Sequence, residues 1–180
     1  MTMTAHAVLS HILTRTEEGG PAALLGAMNR AMKKTLNEGA DDQVDNGLEM
    51  ALCHWRPGET RLTFAGAGIG LFHAREGEVV ELKGSRHSLG YRRSDPDYAF
   101  EDHIVTITPK SAFFLLSDGL LDQAGGEKGF GFGRSRLKAA LAESAGLPLG
   151  ERGERLEKTL AAYQGSRPQR DDVTVIGFAP

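Results

Sequence analysis

Two short acidic segments carry the residue types in this chain best suited to chemistry. Ser117-Asp118-Gly119 follows directly on the apolar run Ala112-Phe113-Phe114-Leu115-Leu116. A carboxylate at the end of a buried strand is held rigidly at the rim of a core, and the glycine after it lets the chain turn sharply. Hard divalent cations take such oxygen ligands. The plain alternative is a turn carboxylate that caps its own backbone. Arg170-Asp171-Asp172 stands just before the last apolar stretch. Adjacent carboxylates repel each other when both are charged, and a nearby cation relieves the repulsion. Solvated loop charges are the alternative there. Asp118 follows one apolar strand and Asp171 precedes another, so both can reach the same edge of one sheet and form a metal site.

Other candidates carry less. The stretch Gly125-Gly126-Glu127-Lys128-Gly129-Phe130-Gly131-Phe132-Gly133 is glycine-rich. It lacks the G-x-x-x-x-G-K-[ST] spacing and a preceding strand in a βαβ unit, which argues against nucleotide binding. It reads as a flexible rim loop leading into a helix. The histidines show no zinc-ligand spacing in the sheet region, and His6 and His11 fall on different helix faces. Cys53 in a strand reads as an inert core thiol. Ser88 and Ser117 have no local nucleophile signature. Arg86, Arg92 and Arg93 either meet a phosphoryl oxygen or an acidic partner, or form a solvated loop.

The elements that position these residues follow from periodicity. Ala5, Val8, Leu9, Ile12 and Leu13 recur at three- and four-residue spacing, giving a helix from Thr4 to Arg15. Gly19-Gly20 ends it and Pro21 opens a second helix. That helix turns Leu24, Leu25, Met28, Met32 and Leu36 inward and Arg30, Lys33 and Lys34 outward. The acidic stretch Glu38 to Asp45 separates the helices from a region of period two. There Leu48, Met50 and Leu52 mark a strand that returns as Arg61 to Ala65 after the turn Pro57-Gly58-Glu59. A second pair, Gly70 to Ala74 and Glu78 to Leu82, surrounds Arg75-Glu76-Gly77. The polar segment Gly84 to Pro96 is a loop. A third pair is expected from Tyr98 to Ile107 and Ser111 to Ser117, joined through Thr108-Pro109-Lys110. The latter strand is apolar on both sides and therefore central. Helices near Gly133 to Ser144 and Glu151 to Tyr163 and a closing strand, Val173 to Phe178, complete an α+β chain of antiparallel sheets layered with helices.

Composition bounds the function. The 180 residues are 40% hydrophobic and 25% charged, as a single soluble domain requires. A net charge of -3 provides no broad cationic surface for nucleic acid or anionic lipid. The longest apolar run is far short of the ~18 residues a membrane span needs. The N-terminal stretch lacks the basic flank of a secretion signal. A single cysteine excludes an intramolecular disulfide and fits a reducing cytoplasm.

At the acidic segments a family resemblance enters. The run Phe113-Phe114-Leu115-Leu116-Ser117-Asp118-Gly119-Leu120-Leu121-Asp122-Gln123 resembles the late acidic motif of the metal-dependent protein serine/threonine phosphatases, the PPM family. It is most similar to the SpoIIE-like branch. Arg170-Asp171-Asp172-Val173-Thr174-Val175 resembles that branch's closing motif. Leu62 to Ala67, Arg86 to Tyr91 and Gly129 to Gly133 are similar to family segments, and Asp122 to Phe130 resembles SiaA-type members. The resemblance implies an α/β/β/α sandwich in which two Mn²⁺ or Mg²⁺ ions share a water that attacks phosphoserine or phosphothreonine in line. It also implies that Asp118 and Asp171 are metal ligands, with Asp172 adjacent, and that the substrate is a phosphorylated bacterial regulatory protein.

The chain departs from the family pattern at its start. The family's early Gly-Asp and Asp-x-x-Gly-x-Gly motifs are absent, and no acidic residue precedes Glu17. Ala67-Gly68-Ile69 also lacks the histidine that many relatives carry after the glycine. Residues 1–180 are therefore expected to form one phosphatase domain without its N-terminal strands, with about half the metal ligands missing. The alternative expectation is a catalytically impaired fragment that binds another protein or pairs as a homodimer.

Overall fold

A computed structural model describes residues 2–14, 19–37 and 45–180. It divides into two compact units, Met1–Ile69 with Lys83–Thr106, and Gly70–Leu82 with Ile107–Pro180.

In the first unit, α1 (Thr2–Leu13) packs against α2 (Pro21–Asn37), which lies on a three-stranded antiparallel sheet. Its strands are β1 (Met50–His54), β2 (Arg61–Ala67) and β5 (His103–Thr106), in the order β1-β2-β5. The three- and four-residue spacing of Leu25, Met28 and Met32 puts all three on the face of α2 that is wholly buried. They pack with Ile12 of α1, Ala65 and Ala67 of β2, and Leu89 and Phe100. The start of α2 is capped from a distance: the Ala22 N–H donates to Asp102 Oδ1 at 2.8 Å.

In the second unit, β3 (Leu71–Arg75) and β4 (Glu78–Leu82) form a hairpin. Glu76 and Gly77 turn it with φ of 53° and 86°, the two positive angles of a type I′ turn. β6 (Ser111–Leu116) pairs with β3, and β9 (Val175–Phe178) pairs with β6, giving the antiparallel order β4-β3-β6-β9. One face of this sheet, with Phe72, Ala74, Ala112, Phe114 and Leu116, packs under the helices α3 (Asp118–Asp122), α4 (Gly133–Glu143) and α5 (Leu149–Gln164). The helices contribute Leu120, Leu137, Leu141 and Leu156 to this core.

Two expectations are corrected. The third hairpin does not form: β5 pairs with β2, whereas β6 pairs with β3 and β9. The burial patterns explain the difference. In β5 only Val105 is buried while Ile104 and Thr106 face water, which suits an edge. β6 is apolar on both faces and needs a neighbour on each side. The glycine-rich stretch is also no loose rim. β7 (Ala124–Gly125) and β8 (Phe130–Gly131) form a small hairpin that α5 clamps. The Tyr163 hydroxyl donates to the carbonyls of Phe130 at 2.9 Å and Gly131 at 3.2 Å, and Arg136 stacks on the Tyr163 ring at 4.6 Å. Helix boundaries shift slightly. α1 ends at Leu13, and its expected last residue, Arg15, lies outside the described residues, as does the acidic stretch apart from Asp45.

His73 of β3 stacks on Phe113 of β6, 4.6 Å between ring centres, with Nε2 3.0 Å from Ser111 Oγ. Burial, then the nearby Arg75 guanidinium, lowers its pKa below the ordinary 6.5. The folded protein thus disfavours the protonated ring, and the unfolded chain binds the proton more readily. The stability this neutral contact gives is present above about pH 6.5 and is lost as the pH falls. In the His73→Asn variant, the fall in melting temperature between pH 7 and pH 5 is expected to be smaller than in the parent. Equal acid sensitivity in both proteins would remove His73 as its source.

Candidate functional site

The β6–β9 ladder runs out at Ser117, and this residue clasps the two acidic segments together. Its N–H donates to the Thr174 carbonyl at 3.0 Å. Its hydroxyl donates to the Asp172 carbonyl at 2.8 Å and accepts the Thr174 N–H at 2.9 Å. Asp118 then opens α3, where a carboxylate favours the helix N-terminus. Gly119 lets the second segment pass close by: a side-chain carbon there would collide with the Asp172 carbonyl oxygen and lie 3.3 Å from the Asp171 carbonyl carbon. Asp171 Oδ1 accepts the Asp172 N–H at 2.7 Å, and the Gln169 side chain donates to the Asp171 carbonyl at 2.8 Å.

The structure therefore brings Asp118 and the Asp171-Asp172 pair, more than fifty residues apart in sequence, to one end of adjacent strands. All three carboxylates are exposed. Their hard oxygens suit Mg²⁺ or Mn²⁺ in kind. In number and arrangement the donors fall short. No group of three or more His, Cys, Asp or Glu among the described residues is placed to hold a metal ion. A cavity of about 660 Å³ lies beneath α5, lined by Phe114, Leu120, Leu156, Gln164 and Val173. None of the three carboxylates lines it, although Gln169 and Val173, on either side of the Asp171-Asp172 pair, do.

The basic loop 84–96 belongs to the first unit and is built onto α2. Asn29, wholly buried, donates from Nδ2 to the Asp95 carbonyl at 2.8 Å and accepts the Gly90 N–H at 3.1 Å. Lys33 donates to the carbonyls of Arg92, at 2.8 Å, and Ser94. Read from the sequence as an outward charge, Lys33 is half-buried and anchors the loop. Arg86, Arg92 and Arg93 are exposed residues. His87 stacks on Tyr98 with ring centres 4.2 Å apart, and its Nε2 is buried without a hydrogen-bond partner. Cys53 is half-buried, and burial pushes its thiol up to about 12, so it stays protonated and inert at neutral pH.

Sequence reasoning found the acidic segments but missed Ser117 as their clasp and Asn29 as the anchor of the loop. A serine at the last position of an apolar strand was the available signal for the first. A lone polar residue in an apolar helix stripe was the signal for the second.

This mixed α+β fold, with helices on antiparallel sheets and acidic segments at the ends of β6 and β9, is that of the PPM serine/threonine phosphatases. Residues 1–179 match the family described as Stage II sporulation protein E (SpoIIE), and the chain belongs to that family. Among solved structures it is similar to the SiaA-PP2C domain of Pseudomonas aeruginosa, with 39% identity and a TM-score of 0.85, over 99% of this chain and 68% of that one. The fold also matches the phosphatase domain of SpoIIE from Bacillus subtilis, at 14% identity and a TM-score of 0.58, over 97% of this chain and 72% of that one. It further matches the catalytic domain of the serine/threonine protein phosphatase PstP in complex with two manganese ions. There the identity is 18% and the TM-score 0.63, over 98% of this chain and 78% of that one. No curated protein sequence matches the chain. No helix among the described residues is long and apolar enough to cross a membrane.

Proposed function

We propose that this chain forms a Mn²⁺- or Mg²⁺-dependent phosphatase domain that removes phosphate from serine or threonine of a bacterial regulatory protein in the cytoplasm. The observation that supports this reading most is the Ser117 clasp, which sets Asp118 beside the Asp171-Asp172 segment at one sheet edge. Two proteins similar to this chain in fold, the SpoIIE domain from Bacillus subtilis and the manganese-bound PstP domain, carry phosphatase names. Asp118 and Asp171, with Asp172 beside them, are the residues that would hold the metal. When bound, such ions supply a nucleophilic water at neutral pH and offset charge on the phosphoryl oxygens. The chain's own part is to fix these oxygens. The clasp does this through the backbone, by holding the Asp172 carbonyl and the Thr174 N–H against Ser117.

The test is hydrolysis of p-nitrophenyl phosphate with and without Mn²⁺, run beside Asp118→Asn and Asp171→Asn. The expected outcome is Mn²⁺-dependent turnover that falls at least about a hundred-fold in each variant. Turnover that ignores both substitutions, or none from folded protein, would defeat the reading.

A second reading has its own observation. β9 pairs on one side only, and Val175 and Ile176, 36% and 56% exposed, are apolar and carry no charge to guard that edge. This favours a module that binds another protein or pairs with its own copy. Size-exclusion chromatography separates the two: a clean monomer over the accessible concentration range counts against self-association.

A further inference from the structure

We infer that this chain by itself does not assemble a two-ion centre, and that its acidic edge takes at most one divalent cation, weakly. The inference rests on the phosphatase reading above only for the expectation of two ions. Its grounds are the placements of the carboxylates.

A Mg²⁺-type ion demands near-octahedral oxygen coordination, and two ions close enough to share a water need several carboxylates between them. Here three aspartates serve the edge, and two of them are tied to their neighbours. Asp171 has Oδ1 tied to the N–H of Asp172 at 2.7 Å. Asp172 has its carbonyl held by Ser117 Oγ at 2.8 Å, which fixes the backbone from which its side chain departs. The same backbone lies so close to Gly119 that neither segment can slide toward the other. Asp118 opens α3 with an exposed side chain. In this arrangement no three acidic or histidine groups among the described residues converge on a cation.

Charge leads to the same result. Three carboxylates, with Arg170 directly adjacent in the chain, cannot neutralise two divalent ions. A second ion would meet the uncompensated charge of the first at close range. A single ion with most of its water shell retained is compatible with the edge. It resembles the weak sites that have few charged ligands, where dissociation constants are on the order of 0.1 to 1 mM.

The measurement is a Mn²⁺ titration of the full chain, following the electron-paramagnetic signal of free Mn²⁺, beside Asp118→Asn and Asp171→Asn, with circular dichroism to establish folding. The expected result is no more than one Mn²⁺ per chain, half-saturated near or above the upper end of that range. Either variant should weaken it roughly ten-fold further. A chain that takes up no Mn²⁺ supports the inference equally. Two Mn²⁺ per chain would overturn it, as would a single Mn²⁺ held at micromolar concentration. These results are independent of the turnover assay. Tight double occupancy with activity leaves the phosphatase reading standing and removes this one. Weak single occupancy without turnover does the reverse.

Discussion

Replacing Gly119 with valine is expected to destabilise the protein by about 2 to 3 kcal/mol and to part the two acidic segments. The reason is local. A side-chain carbon at 119 meets the Asp172 carbonyl oxygen, with the Asp172 carbonyl carbon 3.0 Å away, and both atoms are backbone. Backbone cannot swing aside as the end of a long side chain would. The Asp171-Asp172 segment must lift, and lifting it breaks the hydrogen bonds from Ser117 Oγ to the Asp172 carbonyl and from the Thr174 N–H to Ser117 Oγ. A lower urea midpoint at unchanged slope would measure the loss. Faster amide exchange at Thr174 would locate it. Gly119→Val with unaltered stability and exchange would show that the close approach is not a constraint. A control at Gly146, where a side-chain carbon would meet nothing within 4 Å, should change stability little.

The second large effect is expected at Asn29. Replacing it with leucine, which is similar in size, should destabilise the first unit by about 2 to 4 kcal/mol. Asn29 is fully buried, and both ends of its amide are used. Leucine would leave the Gly90 N–H and the Asp95 carbonyl without these partners, and a buried polar group left unpaired is costlier than the bond it loses. The loop 84–96 would then be joined to α2 through Lys33, and to the rest of the unit through the backbone bridges of Leu89 with Leu48 and of Ser85 with Gly66 and Gly68. Denaturant unfolding measures the stability, and amide exchange at Gly90 reports the loop. Stability within about 0.5 kcal/mol of the parent would refute the anchor.

What the two variants have in common bears on how much could be read in advance. Both positions act through partners more than fifty residues away, and no periodicity in the sequence points to those partners. The local elements were legible because they depend on neighbours in the chain. The burial of Leu25, Met28 and Met32 follows from helical spacing, and the β3–β4 hairpin from two short strands around Glu76-Gly77. The pairing of strands was less legible. β5 and β6 are consecutive with a short connection, which favours a hairpin on local grounds alone. The hairpin fails because β6, with two apolar faces, is satisfied only between β3 and β9, and β9 lies at the other end of the chain.

The glycine-rich hairpin makes the same point. Its glycines look permissive in isolation. Gly125 is in fact required by contact, since a side-chain carbon there would collide with the Tyr163 carbonyl oxygen and ring. Tyr163 comes from α5 and supplies the hydroxyl that holds β8. Lys33 was misjudged for a related reason: helical spacing places a side chain on a face but does not show which loop will cover that face.

By itself the sequence determined the elements, the apolar faces they bury, the two acidic segments and the family they resemble, because each of these is fixed within a short stretch of chain. Tertiary structure decided that β6 lies between β3 and β9, that Ser117 joins Asp118 to the Asp171-Asp172 segment, and that the basic loop is built onto α2. It also decided how the acidic side chains are spaced. These outcomes depend on hydrogen bonds and close contacts between distant residues, whose geometry exists only once both sheets have formed.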